Sequence, residues 1–241
     1  MAANFDRIAR AYRWMEYLSF GPMLKRCRFY RLGDAAKRRH ALVIGDGDGR
    51  FLARLLRENK QLTAEAVDSS RAMLQLLEKR AAGAGQRLAV RCTDARAFSP
   101  SGRYDLVATH FFLDCLTTEE TAALTERIRP HLLSGAMWIV SDFAIPPGLA
   151  ALPARVIVSV LYAAFGVLTG LEIQRLPRHG DVLRAAGFSL DDRKEWLGGL
   201  LFSESWIFIG PANGSTRSQG NRSEADGLPL KNDRSFHFKR G

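Results

Sequence analysis

The spacing of apolar and polar positions changes period several times along the chain, and the changes mark out its elements. Ala41-Leu42-Val43-Ile44 is a short apolar run between His40 and Gly45 and reads as a buried strand over 41–45. Beyond it, Phe51, Leu52, Leu55 and Leu56 share one face of a helix over about 49–59. Further strands are expected at 62–67, ending at Asp68, at 88–92, ending at Thr93-Asp94, at 104–110, and at 136–141, ending at Asp142. Helical spacing fills 70–82, with Gly83 as its stop, and about 119–131. Strands alternating with helices in this way imply a parallel sheet. Residues 178–186 read as a helix ending at Gly187, and 188–196 and 202–209 as an antiparallel pair turning across Gly198-Gly199.

The flanks follow other patterns. Phe5, Ile8, Ala9 and Tyr12 lie at helical spacing, with Arg7, Arg10 and Arg13 off that face, which predicts an amphipathic helix over 4–20. Gly21-Pro22 breaks it, and a second helical stretch, 23–33, mixes apolar residues with Lys25, Arg26, Arg28 and Arg31 before Gly33 as a plausible stop. After Pro146-Pro147-Gly148, residues 150–169 are nearly all apolar, with Pro153 and Arg155 inside the run. A membrane span needs about twenty apolar residues with few charges, so a helical lid over the mouth of a cleft is the expectation and contact with a lipid interface the alternative. The tail from Pro211 has few apolar residues and is expected to be disordered. The organisation expected is an N-terminal helical cap (1–40), an α/β domain (41–210) with a lid insertion at about 146–176, and a basic tail (211–241).

Composition narrows the class. The chain has 241 residues, 46% hydrophobic and 25% charged, as expected of an ordinary globular protein. Its formal charge of +10 is unevenly spread. Residues 1–40 carry ten Lys and Arg against three acids, residues 211–241 carry six against three, and the stretch between is balanced. The plain reading is two solvated basic ends. The sharper one is contact of the N-terminal segment with anionic lipid or an acidic substrate. No nucleic-acid-binding motif accompanies the charge, so no nucleic-acid partner is expected. Cys27, Cys92 and Cys115 have no ligand-like spacing and read as reduced, mostly buried thiols. Met1–Arg7 has no apolar core of a signal peptide, and a cytoplasmic location is expected, with membrane association as the alternative.

The chemistry centres on Gly45-Asp46-Gly47-Asp48-Gly49, a strand-to-helix turn where backbone can approach a ligand without Cβ atoms in the way. A dinucleotide fingerprint wants a glycine where Arg50 stands, and Asp46 and Asp48 would repel a pyrophosphate. Both carboxylates are tolerable beside S-adenosylmethionine, which carries a sulfonium and an ammonium. Asp48 has a second reading as the N-cap of the helix. Asp68 lies nineteen residues past Gly49, the usual place of a ribose-hydroxyl acceptor. Asp94 and the backbone of Ala95 end the third strand, where an adenine amino group could be met. His110 and Asp114 follow the fourth strand, over the C-terminal edge of the sheet. An NAD(P)-dependent oxidoreductase on the same topology is the competing enzyme class, disfavoured by the glycine spacing.

Leu42–Gly49, Ala66-Val67-Asp68-Ser69-Ser70-Arg71-Ala72-Met73-Leu74 and Thr93-Asp94-Ala95 resemble the three successive cofactor motifs of class I S-adenosylmethionine-dependent methyltransferases. Ala185-Ala186-Gly187-Phe188 and the two strands after it are similar to that family's closing hairpin. Phe5–Tyr12, with Leu18-Ser19-Phe20-Gly21, is similar to the start of the ubiquinone/menaquinone C-methyltransferase group. The resemblance implies a doubly wound, seven-stranded, mostly parallel sheet of Rossmann-like form, its last strand antiparallel, with N-terminal helices and the lid. It implies S-adenosylmethionine held by Tyr12, Gly45, Asp46, Gly47, Gly49, Asp68, Ser69, Met73, Asp94, Ala95 and His110. It implies methyl transfer by in-line displacement to a small or lipid-like acceptor, and His110, Asp114 and Asp142 are the candidate bases. Val43 stands where relatives often carry an acid, which motivates an alternative, a degenerate methyltransferase fold used for binding or as a scaffold.

Overall fold

The computed structural model describes residues 21–146, 148 and 176–210. The expected helix over 4–20, Tyr12, the bulk of the lid and the tail lie outside the described residues.

The described elements are α1 (Gly21–Phe29), α2 (Leu32–Ala35), β1 (His40–Ile44), α3 (Arg50–Glu58), β2 (Thr63–Asp68), α4 (Arg71–Arg80), β3 (Leu88–Cys92), β4 (Tyr104–His110), α5 (Thr118–Ile128), β5 (Leu132–Phe143), α6 (His179–Ala185), β6 (Phe188–Trp196) and β7 (Leu201–Phe208). The strands form one seven-stranded sheet in the order β3-β2-β1-β4-β5-β7-β6. β3, β2, β1, β4 and β5 are parallel, and β7 runs antiparallel to both β5 and β6. This is the doubly wound Rossmann-like sheet expected from the sequence. Its order reverses between β1 and β4, the switch point at whose C-terminal edge such sheets bind ligands.

β1 shows why the sheet is buried on both faces. Ala41 and Val43 face one core with Phe51, Leu52, Leu55 and Leu56 of α3 and Leu74 and Leu77 of α4. Leu42 and Ile44 face the other with Leu124 and Ile128 of α5, Trp138 of β5, and Trp206 of β7. A strand buried on both sides reads as an unbroken apolar run, as this one does. Each fully buried Leu or Phe contributes about 1.5–3 kcal/mol, so the apolar stripe of α3 alone fixes the helix that follows the glycine turn. Thr117 and Glu120 form a reciprocal capping box at the start of α5.

Some boundaries differ from those read off the sequence. β5 is twelve residues long rather than six, because it pairs with β4 from Leu132 and with β7 through Phe143. The second helical stretch splits into α1 and α2, and Gly33 lies inside α2 instead of ending a helix. The basic N-terminal segment is not merely a solvated end: Arg28 and Arg31 are each 4% exposed. Arg31 donates to Asp192 at 2.7 Å and to the Ser203 carbonyl at 3.2 Å, tying the N-terminal helices to β6 and β7. Of the cysteines, Cys27 is buried and Cys115 half-buried, but Cys92 on the edge strand β3 is exposed.

Candidate active site

All three glycines of the turn after β1 adopt left-handed φ, +68° at Gly45, +59° at Gly47 and +75° at Gly49, a region that L side chains enter at a cost. They differ in surroundings. A Cβ on Gly45 would fall 2.2 Å from the Phe112 ring, and one on Gly49 2.3 Å from Leu77. Among the described residues, nothing lies within 4 Å of a Cβ built on Gly47. Gly45 and Gly49 therefore serve close packing, whereas Gly47 leaves its side of the turn open to a ligand.

The cap role that spacing suggested for Asp48 falls to Asp46. Asp46, 8% exposed, accepts the Leu52 amide in the first turn of α3 through Oδ2 at 2.9 Å, so it acts as the cap. Asp48 instead pairs with Arg50 at 3.0 Å and with Arg80 of α4 at 2.7 Å, joining the two helices. Gly49 occupies the N-cap position in left-handed conformation, which leaves the cap bond to the residue three earlier. Asp46 Oδ1 is buried with no hydrogen-bond partner among the described residues. Burial pushes the Asp46 carboxyl up to about 7, against the opposing charge of Arg28.

Arg28 is the site residue that sequence reasoning missed. It lies one turn past Leu24 on the buried face of α1, beside Cys27, and that helical spacing is the signal that was available. Its guanidinium sits 5.5 Å over the Phe111 ring and acts electrostatically on both Asp46 and His110. His110, at the end of β4, is 2% exposed and packs 4.3 Å from the Phe51 ring. Neither ring nitrogen has a hydrogen-bond partner among the described residues. Burial, then Arg28, drives its pKa well below the usual value, so the ring is neutral.

The remaining candidates stand along the same edge. Asp68 Oδ1 accepts the Ser70 amide at 2.8 Å, which fixes the carboxylate at the end of β2. Ser69 is exposed, whereas Met73 is 3% exposed, its amide bound to the Ser70 hydroxyl that caps α4 at 3.2 Å. Asp94 holds Arg96 through the backbone amide at 2.8 Å and the guanidinium at 3.3 Å. Ala95 is buried, and its carbonyl accepts from Arg127 at 2.9 Å. Asp114 and Asp142 meet across β4 and β5: the Asp114 amide donates to Asp142 Oδ2 at 3.1 Å. Among the described residues no cluster of His, Cys, Asp and Glu is arranged to hold a metal ion, and no helix is long and apolar enough to cross a membrane.

Residues 41–135 match the family model of the methyltransferase domain. Among solved structures, the fold is similar to the N-methyltransferase NodS from Bradyrhizobium japonicum WM9 (13% identity, 79% of this chain and 98% of that one, TM-score 0.55). It is also similar to the mitomycin 7-O-methyltransferase MmcR (15% identity, 85% and 60% covered, TM-score 0.61). A third likeness is to an O-methyltransferase family protein from Burkholderia thailandensis (18% identity, 85% and 62% covered, TM-score 0.60). The chain thus spans about three fifths of the two O-methyltransferases, and a second NodS structure holds S-adenosyl-L-homocysteine. No curated protein matches the chain in sequence. The matched segment is similar to a methyltransferase domain, and the fold is the Rossmann-like one found in S-adenosylmethionine-dependent methyltransferases.

The site fits that cofactor. The open side of Gly47 is a cradle that a Cβ would fill, and Asp46 Oδ1 is an orphaned acceptor suited to a cationic group.

Proposed function

We propose that this chain transfers the methyl group of S-adenosylmethionine to a small-molecule acceptor. The observation that carries the reading is the pairing of the open turn at Gly47 with the fixed Asp68 carboxylate at the neighbouring strand end. Gly45, Gly47 and Gly49 would let backbone approach the cofactor, Asp68 would accept from its ribose hydroxyls, and Ser69 and Met73 would flank them. Asp94 and Ala95 would meet the adenine, with Asp94 sharing its carboxylate with Arg96. Asp46 and Arg28 would face the charged amino-acid end, the first as acceptor and the second as donor, with His110 beside them. Tyr12 is proposed to close that end. The bound cofactor supplies an activated methyl on a sulfonium, and the chain's part is to align it and exclude water. His110, Asp114 and Asp142 are the candidate bases on the acceptor side. The lowered pKa of His110 makes it the weakest of the three.

Calorimetric titration of the full chain with S-adenosylmethionine tests the reading. Saturable binding that competes with S-adenosyl-L-homocysteine is expected, and no binding to folded protein free of copurified cofactor would sink it. The scaffold alternative expects that binding without turnover.

Peripheral contact with an anionic membrane, and a lipid-like acceptor, are the extended form of the proposal. They draw support from Tyr30, 48% exposed and packed edge-on against Trp196, and from Leu197, 44% exposed at the tip of the closing hairpin.

A further inference from the structure

We propose that Asp114 and Asp142 form a one-proton carboxyl pair that takes the proton from an aromatic hydroxyl of the acceptor, so that the enzyme methylates phenol-like oxygen. The inference rests on the methyltransferase reading and names the acceptor class for the same site.

The two side chains come together from different elements. Asp142 is the penultimate residue of β5, and Asp114 sits in the 3-10 turn Leu113–Cys115 beyond β4, both at the edge where open α/β sheets hold their ligands. Asp142 is 3% exposed and Asp114 6%. Backbone amides fix both oxygens of Asp142: Phe143 donates to Oδ1 at 2.9 Å and Asp114 to Oδ2 at 3.1 Å. The Asp114 carboxyl in turn receives the Cys115 thiol at 3.5 Å. The titratable groups facing the pair are thus Cys115 and, from α1, Cys27, with Arg28 and Arg96 as the nearby cations. Burial, reinforced by the Asp114 charge, raises Asp142 well above the ordinary carboxyl range. Two buried carboxyls in contact cannot both ionise, so near neutral pH the pair holds one proton and one negative charge.

The surroundings choose the acceptor. A residual buried carboxylate repels carboxylate and phosphate acceptors and draws a proton from a neutral one. The residues immediately after β4 and at the end of β5 are Phe111 and Phe143, whose rings lie 5.4 Å apart at a tilt of 54°. Phe111 holds φ at +54°, a left-handed conformation costly for an aromatic residue, and such strain clusters at ligand sites. These two rings offer an apolar wall to an aromatic acceptor beside the carboxyl pair.

The step balances. The carboxylate takes the hydroxyl proton. The oxygen lone pair forms the new O–CH3 bond while the C–S bond breaks, its electrons remaining on sulfur. A carboxylate and a sulfonium become a carboxylic acid and a neutral thioether, so two opposite charges vanish together inside a low-dielectric site.

The experiment supplies the full chain with S-adenosylmethionine labelled in its methyl group and a panel of phenols, catechols and hydroxyquinolines, each matched by its amine. Transfer to hydroxyl oxygen is expected, with Asp142→Asn and Asp114→Asn each lowering kcat by roughly 10²–10⁴-fold while calorimetric affinity for S-adenosylmethionine stays within about twofold. Activity of the unmodified chain should rise with pH as the doubly protonated pair loses its first proton, and that limb should disappear in both variants. The infrared carbonyl band of a protonated carboxyl at neutral pH should shrink in both as well. Transfer to the amines alone, no transfer to any hydroxyl, or variants that keep kcat and the infrared band would overturn the inference. If neither variant folds, the acceptor panel with the unmodified chain decides. Absence of S-adenosylmethionine binding would instead remove the reading on which the inference rests.

Discussion

Replacing Asp46 by asparagine should stabilise the ligand-free protein at alkaline pH and weaken its hold on the cofactor. The carboxyl is 8% exposed, and burial raises it to about 7, from about 3.9 in an unfolded chain. Between those values the folded state binds a proton that the unfolded state does not, so stability is greatest in acid and falls as pH rises toward the folded value. From pH 5 to pH 8 the loss integrates to roughly 2.7 kcal/mol at 1.36 kcal/mol per unit. That corresponds to about 5–10 °C in Tm for a chain of this size. Asparagine keeps an oxygen for the Leu52 amide but cannot ionise. The two proteins should therefore melt alike near pH 5 and diverge toward pH 8, with Asp46→Asn the more stable. Thermal melts of both across this range measure the difference, which cancels the pH response of every other group. Parallel curves would show that the Asp46 carboxyl is not buried as described. Calorimetry at pH 8 supplies the second half: the variant should bind S-adenosylmethionine at least tenfold more weakly, since a charge-assisted hydrogen bond is worth about 1.5–3 kcal/mol.

The other glycines and acids give sharper contrasts. Gly49→Ala should cost roughly 2–4 kcal/mol in denaturant unfolding, from the left-handed φ and a Cβ 2.8 Å from the Leu77 backbone. Gly47→Ala, with no described residue within 4 Å of the added Cβ, should cost only about 1 kcal/mol of stability yet block cofactor binding in the same titration; equal effects at the two positions would refute the division of roles. Asp68→Ala should weaken cofactor binding at least about tenfold with the fold intact, and unchanged affinity would place the ribose elsewhere. Glu204, 2% exposed, accepts from His179 at 2.9 Å, Trp206 at 2.8 Å and Arg193. Burial raises its pKa but these partners outweigh it, so its contribution is present above the unfolded value and lost as pH falls through the lower folded one. Glu204→Gln should destabilise by roughly 3 kcal/mol at pH 7, a deficit that narrows in acid.

The strand-helix alternation was legible because β1 is an unbroken apolar run and α3 an apolar stripe at helical spacing, and the motif positions followed from it. The first third of β5 was not: Leu132–Gly135 mixes polar and apolar residues, and its strand state comes from the sheet around it. The division of labour between Asp46 and Asp48 was equally hidden, because it depends on Arg80, thirty-two residues away in sequence from Asp48. Arg28 was obscured by its company. Among Lys25, Arg26 and Arg31 it reads as one more surface cation, and only its helical register with Leu24 and Cys27 marks it as buried. The Asp114–Asp142 contact needed the parallel register of β4 on β5, in which His110 lies opposite Ser141.

The reversal of β7 also decides where the chain can carry cargo. β6 brings the backbone up to the ligand edge, the turn Leu197–Gly199 touches it, and β7 then runs the other way, from Leu201 opposite Phe143 to Ile207 opposite Met137. Its eight residues cover roughly 25 Å at about 3.3 Å each. A fluorophore or surface tether attached just past Phe208 would thus begin on the far rim of the sheet, clear of substrate traffic, whereas the same graft at Gly198 would stand in the doorway.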